Sequence, residues 1–206
     1  MSRPTIELWY EFASSYSYLS VMRIEALSRE AGVHVLWRPF LLGPVFLALG
    51  WNDSPFNIYP PKGRYMWRDL TRLCAKYGLP FRLPSQFPRN GLLAARVALR
   101  LAEAGPVAAF SRAVMRANFA EDRDIADRAV ITDILTGLDI APEPLLAAAV
   151  TPDNKAALHR QTEQAAELGL FGAPSFRIGE ELFWGNDRLE DALRWAARPA
   201  ADPGAR

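Results

Sequence analysis

The run Ile6-Glu7-Leu8-Trp9-Tyr10-Glu11-Phe12, the break Ala13-Ser14-Ser15, the segment from Tyr16 to about Ala31, then Gly32 and Val33-His34-Val35-Leu36-Trp37-Arg38 before Pro39, decide the fold. The first run alternates and is rich in branched and aromatic residues, which predicts a strand. The break is small and polar, with the chemistry of a helix start. From Tyr16 the spacing is helical: Leu19, Met22 and Ala26 share a face, and Glu25 and Arg29 pair at i,i+4 on another. Gly32 stops the helix and Val33–Arg38 reads as a second strand. A strand, a crossover helix and a strand predict two parallel strands with a right-handed connection.

Further along, proline, glycine and asparagine dominate from about Pro44 to Pro61, which predicts an irregular loop with at most one short turn of helix. Helical spacing follows at about Gly63–Tyr77, Asn90–Ala104, Val107–Ala120, Asp127–Thr136, Glu143–Val150 and Asp153–Leu168, with Leu93, Val97 and Leu101 as a typical apolar stripe. Strand character returns at Ser175–Ile178 and Leu182–Trp184 around Gly179-Glu180, and a last helix is expected from Asp187 to Ala197. The order βαβ, helical block, ββα predicts an α/β thioredoxin-like fold with an all-helical insertion. Residues 1–43 and 172–198 would form the thioredoxin-like domain, 44–171 the inserted loop and helices, and 199–206 a disordered tail.

Bulk properties exclude several classes. With 206 residues, 50% of them hydrophobic, and a net charge of +1, the chain can bury a large core and gives no reason to expect nucleic acid or an anionic membrane as partner. The amino-terminal residues lack the apolar core of a secretory signal, and no apolar stretch is long enough to cross a bilayer, so a cytoplasmic protein is expected. A single cysteine, Cys74, and two histidines, His34 and His159, leave no intrachain disulfide and no zinc site. Cys74 reads as a small buried hydrophobe.

Four segments carry a resemblance. Phe12-Ala13-Ser14-Ser15-Tyr16-Ser17-Tyr18-Leu19, the stretch Asn52 to Asp69 with Pro60-Pro61-Lys62-Gly63-Arg64-Tyr65-Met66, Gly172-Ala173-Pro174, and Phe183-Trp184-Gly185-Asn186-Asp187-Arg188-Leu189 resemble, in this order, the 2-hydroxychromene-2-carboxylate isomerases. Kappa-class glutathione transferases, also of the DsbA-like branch of the thioredoxin fold, are similar but match less closely between Trp51 and Tyr65. The chain departs at Ser15, where the family usually has proline.

The resemblance implies that Ser14-Ser15-Tyr16-Ser17 stands where a redox thioredoxin fold carries Cys-x-x-Cys. Serine forms no disulfide, so disulfide chemistry is disabled. A hydroxyl at a helix amino terminus still favours an anion and can donate to a thiolate supplied by another molecule. The resemblance names that molecule as glutathione, a cofactor bound through Asn52 (or Asn57, which the loop spacing leaves open), Lys62, Ala173, a cis Pro174, Asn186 and Asp187. Read alone, Ser14 and Asp187 are ordinary caps, Pro174 a trans proline opening an edge strand, and Lys62 a surface lysine. Arg64, Arg68 and Arg72 form a stripe that is either a solvated face or a guide for an anionic substrate. Tyr10, Phe40, Trp51 and Trp184 are candidates to line an aromatic pocket.

The implied activity is isomerisation of 2-hydroxychromene-2-carboxylate to trans-o-hydroxybenzylidenepyruvate, a step of naphthalene-type degradation, with an aromatic carboxylate as substrate and a homodimer as the assembly. Two rivals use the same residues: a kappa-like glutathione transferase, which releases a conjugate, and a binding module without turnover.

Overall fold

The computed structural model describes residues 3–198; the predicted tail at 199–206 lies outside the described residues. Strand β1 spans Thr5–Tyr10, helix α1 Ser15–Glu30 and strand β2 His34–Pro39. The strands pair in parallel, with Thr5 beside His34 and Tyr10 beside Pro39. Gly32, at φ +69°, supplies the left-handed turn that ends the α1 connection.

The stretch expected to be a loop is largely helical. α2 covers Leu42–Ala48 and a short α3 covers Pro55–Ile58. Pro44, read as a helix breaker, falls in the first turn of α2, where its missing N–H costs nothing. Then come α4 (Pro60–Tyr77), α5 (Leu92–Ala104), α6 (Val107–Phe119), α7 (Arg128–Thr136), α8 (Pro142–Ala149) and α9 (Pro152–Glu167). Side-chain caps at Asp127 and Thr151 open α7 and α9, and left-handed Gly78 closes α4. The chain returns through β3 (Ser175–Ile178) and β4 (Glu181–Trp184), and a 3₁₀ turn at Asn186–Arg188 precedes α10 (Leu189–Ala196).

The sheet order is β2-β1-β3-β4, with β3 antiparallel to both neighbours. This mixed sheet with its flanking helices is the thioredoxin-like arrangement. One sheet face carries the larger core, where Tyr10 meets Phe12 and Trp37 edge to face and Phe12 meets Phe110 of α6. The other carries Trp9 and Phe40, packed with Leu42 and Val45 of α2 and Ala165 of α9. Both faces of β1 are thus clamped at its carboxyl end, which fixes the turn that follows it.

Candidate functional site

That turn runs from Glu11 to Ser14 and delivers the chain into α1. Ser14 is the cap: its backbone is extended (φ −82°, ψ 117°) and its Oγ accepts from the Ser17 N–H at 3.2 Å. The same Oγ donates to the Ala173 carbonyl at 3.0 Å. Ala173–Pro174 is a cis peptide, and the Pro174 carbonyl accepts from the Gly185 N–H at 2.9 Å. One half-buried hydroxyl therefore joins a helix amino terminus to a cis-proline loop that lies 159 positions away in sequence.

The neighbouring serines do other things. Ser15, where the resembled family has proline, is buried and its hydroxyl donates to Met66 Sδ of α4 at 3.0 Å. Ser17 is fully buried, and among the described residues its hydroxyl has no partner.

Tyr16 links Ser14 to the other predicted contacts. Its hydroxyl donates to Asp69 at 3.0 Å, and its ring centroid lies 6.1 Å from that of Phe56. Lys62, exposed in the first turn of α4, holds its Nζ 5.6 Å from the Phe56 ring centroid. Burial first, then the hydrogen bond and charge of Asp69, push the Tyr16 phenol well above its usual range, and the Asp187 carboxylate adds to that push. Asp187 itself is 77% exposed and sits in the 3₁₀ turn after left-handed Gly185, without capping a helix. Asn186 differs: it is buried, and its Oδ1 accepts from Ser20 at 3.2 Å and Arg23 at 3.3 Å, binding β4's end to α1. Asn52 is exposed, whereas the Asn57 amide donates to Asp53 and, at 3.5 Å, to the Phe87 carbonyl.

Of the four pocket candidates, two are corrected by burial. Tyr10 has no exposed surface; its hydroxyl is 2.7 Å from Ser111 Oγ inside the larger core, and desolvation raises its pKa strongly. Phe40 is likewise fully buried, edge to face with Trp9. Tyr10 faces the larger core and Phe40, just past β2, the smaller one, so each packs inside and presents nothing to a ligand. Trp51 is half-buried against Phe46, and Phe46 and Ala173 pack on the same small core. Trp184 is 52% exposed and meets Phe171 edge to face with centroids 4.8 Å apart. It covers Gly172, where a Cβ would come within 2.4 Å of the indole nitrogen. Apolar surface thus flanks the Ala173–Pro174 loop, and Phe46 and Phe171 belong to it although no sequence pattern marked them.

Two more residues support the turn from below. Glu11 is buried; its carboxylate accepts from the Leu42 N–H at 2.9 Å and the Ala13 N–H at 3.4 Å. It thereby supplies α2 with the capping acceptor that Leu41 cannot. Burial pushes its pKa up to about 7 against the pull of those amides. Asn118 of α6 donates to the Phe12 carbonyl at 3.0 Å and is held in turn by buried Arg89, which reaches its Oδ1 at 3.0 Å. A lone acid at a strand end and an asparagine within a helix carry no sequence signal for such roles.

The arrangement offers a hydroxyl at the α1 amino terminus and a carbonyl edge at Ala173, with exposed charges of opposite sign at Lys62 in the first turn of α4 and at Asp187 in the 3₁₀ turn. Comparison with known proteins bears on the fold and the family. The family model described as DSBA-like thioredoxin domain matches residues 5–194. A 2-hydroxychromene-2-carboxylate isomerase of Sphingobium xenophagum is 29% identical over 190 residues, 90% of this chain and 94% of that one. A glutathione S-transferase kappa 2 of Caenorhabditis elegans is 24% identical over 219 residues, 98% of this chain and 96% of that one. Among solved structures, a 2-hydroxychromene-2-carboxylate isomerase superposes with a TM-score of 0.83 at 26% identity, covering 93% of each chain.

Proposed function

We propose, from the premise that the chain belongs to the DSBA-like thioredoxin domain family, that it is a glutathione-dependent isomerase of 2-hydroxychromene-2-carboxylate and trans-o-hydroxybenzylidenepyruvate. The observation that carries the reading is the Ser14 hydroxyl, poised between the α1 amino terminus and the Ala173 carbonyl.

The residues present fit glutathione. The half-buried Ser14 hydroxyl would hold its thiol, the Ala173–Pro174 edge would pair with its peptide backbone as with a short added strand, and exposed Lys62 and Asp187 would hold its charged ends. Asn52 is the further binding residue on the α2–α3 connection. Asn186 contributes by holding the Asp187 turn against α1. When bound, glutathione supplies a thiolate that adds reversibly to the conjugated double bond, lowering its order so that rotation becomes easy.

The chain's own part is electrostatic and positional. Ser14 turns its proton from the Ala173 carbonyl to the sulfur and so favours the charged form, and the α1 amino terminus adds its partial positive charge. The freed Ala173 carbonyl would then be able to accept from a peptide N–H of the ligand. Trp184, Trp51, Phe46 and Phe171 give the aromatic substrate apolar contact and keep water from the reacting bond. A cytoplasmic homodimer acting in aromatic catabolism completes the proposal.

The test is turnover of 2-hydroxychromene-2-carboxylate with and without glutathione, with the products identified. Equilibration to the benzylidenepyruvate without consumption of glutathione is expected. A stable conjugate indicates the kappa-like transferase reading, which the nematode relative favours, and binding without turnover indicates the non-catalytic one.

A further inference from the structure

At the far edge of the sheet from β4, β2 borders an open groove of about 770 Å³. Its floor is the unbroken run Val33 to Arg38, and its walls come from α1, α9 and the α5–α6 corner.

The hydrogen-bond pattern shows which backbone groups face it. The His34 N–H donates to Pro4 and the Phe40 N–H to Tyr10, so the even-numbered residues of β2 turn toward β1. The odd-numbered ones turn outward. At one end the Val33 N–H is spent on the Ser28 carbonyl at 2.9 Å; at the other, Pro39 has no N–H and its carbonyl accepts from Gln161 at 2.5 Å. Between these ends Val35 and Trp37 present N–H and C=O groups for which no partner is found among the described residues. That is a strand edge sealed at both ends and open in the middle.

Charge favours one kind of occupant. Arg38 is paired with Glu7, and Glu25 with Arg112. Arg3, Arg29 and Arg160 also line the groove, and among the described residues none of the three has a carboxylate within ion-pair distance. A second copy would bring the same arginines against themselves, and its own β2 edge is equally recessed between helices.

We propose that this groove receives an extended acidic peptide segment of another protein, added as a fifth strand on β2 through Val35 and Trp37.

The probe is a fluorescein-labelled peptide alternating glutamate and valine over six residues, titrated with the full chain and followed by anisotropy. Saturable binding is expected, weakening roughly tenfold when salt rises from about 50 to about 300 mM. The double substitution Arg29→Glu and Arg160→Glu, both at exposed positions, should weaken it by at least roughly tenfold. The same peptide N-methylated at every residue should not bind the unaltered chain, because no N–H is left to donate to the edge. Absence of saturable binding, or equal binding of the N-methylated peptide, overturns the proposal. So does a dimer, seen by sedimentation, that excludes the peptide: the groove then belongs to a second copy.

Discussion

Removing one oxygen by Ser14→Ala tests two roles that the structure assigns to a single atom. The Ser14 hydroxyl satisfies the Ser17 N–H at 3.2 Å and the Ala173 carbonyl at 3.0 Å. Loss of the cap costs about 1 kcal/mol, and loss of the bond to Ala173 about 0.5–1.5 kcal/mol. Stability should fall by roughly 2 kcal/mol, which lowers Tm by roughly 4–8 °C in a chain of this size. Turnover should fall further: a hydrogen bond to a charged sulfur is worth about 1.5–3 kcal/mol, or roughly 10- to 150-fold in rate. Ser14→Asp separates the roles. A carboxylate accepts from Ser17 and restores the cap, yet at neutral pH it cannot donate to a thiolate. Melting and glutathione-dependent turnover should be measured on both variants well below the lower Tm. The expected pattern is partial recovery of Tm by Ser14→Asp with no recovery of rate. Wild-type turnover in Ser14→Ala refutes the assignment.

Two further predictions concern the surroundings of that atom. Glu11 has a pKa raised from 4.5 to about 7 in the folded chain, so the folded state holds its proton more tightly and stability should decline as pH rises through that window, by roughly 3 kcal/mol at most. Denaturant unfolding between pH 4.5 and 8 should show this slope in the wild type and lose it in Glu11→Gln; identical slopes contradict the role given to Glu11. Lys62→Met and Asp187→Asn should each weaken glutathione binding roughly 5- to 10-fold in calorimetry while leaving the rate at saturation nearly unchanged, since neither touches the sulfur. Unaltered affinity in both removes them from the site.

The β-α-β opening was legible in the sequence for a physical reason, whereas the cis-proline loop was legible only through the family resemblance, since Pro174 read alone suggests a trans proline. Alternation in Ile6–Phe12, a serine before a helical stripe, and Gly32 are local signals, and local signals survive without tertiary context. The fold followed from them. The α2 helix was not legible: its proline and glycine look like loop chemistry, and its capping acceptor, Glu11, is 31 positions away from Leu42. Tyr10 and Phe40 were misassigned as pocket residues because aromatic character cannot tell a side chain packed inside a core from one that lines a cleft. Asn186 was legible as part of a motif, but only its buried bonds to Ser20 and Arg23 show that it supports the turn carrying Asp187. Phe46 and Phe171 lie in segments with no periodicity, and only the folded chain brings them beside Ala173 and Trp184.

The central claim is that this chain activates a thiol it does not own, and the state of the bound thiol tests it most directly. A charge-assisted bond from Ser14 contributes about 1.5–3 kcal/mol and the α1 amino terminus about 0.3–1 kcal/mol. Giving up the bond to Ala173 costs about 0.5–1.5 kcal/mol. The balance lowers the thiol pKa by about one to two units from about 8.5. Difference absorbance in the thiolate band, followed against pH with glutathione bound and no second substrate present, reads this value. The account predicts a titration midpoint near 7, absent with S-methylglutathione and moved back toward the free value in Ser14→Ala. Bound glutathione that titrates like free glutathione contradicts it.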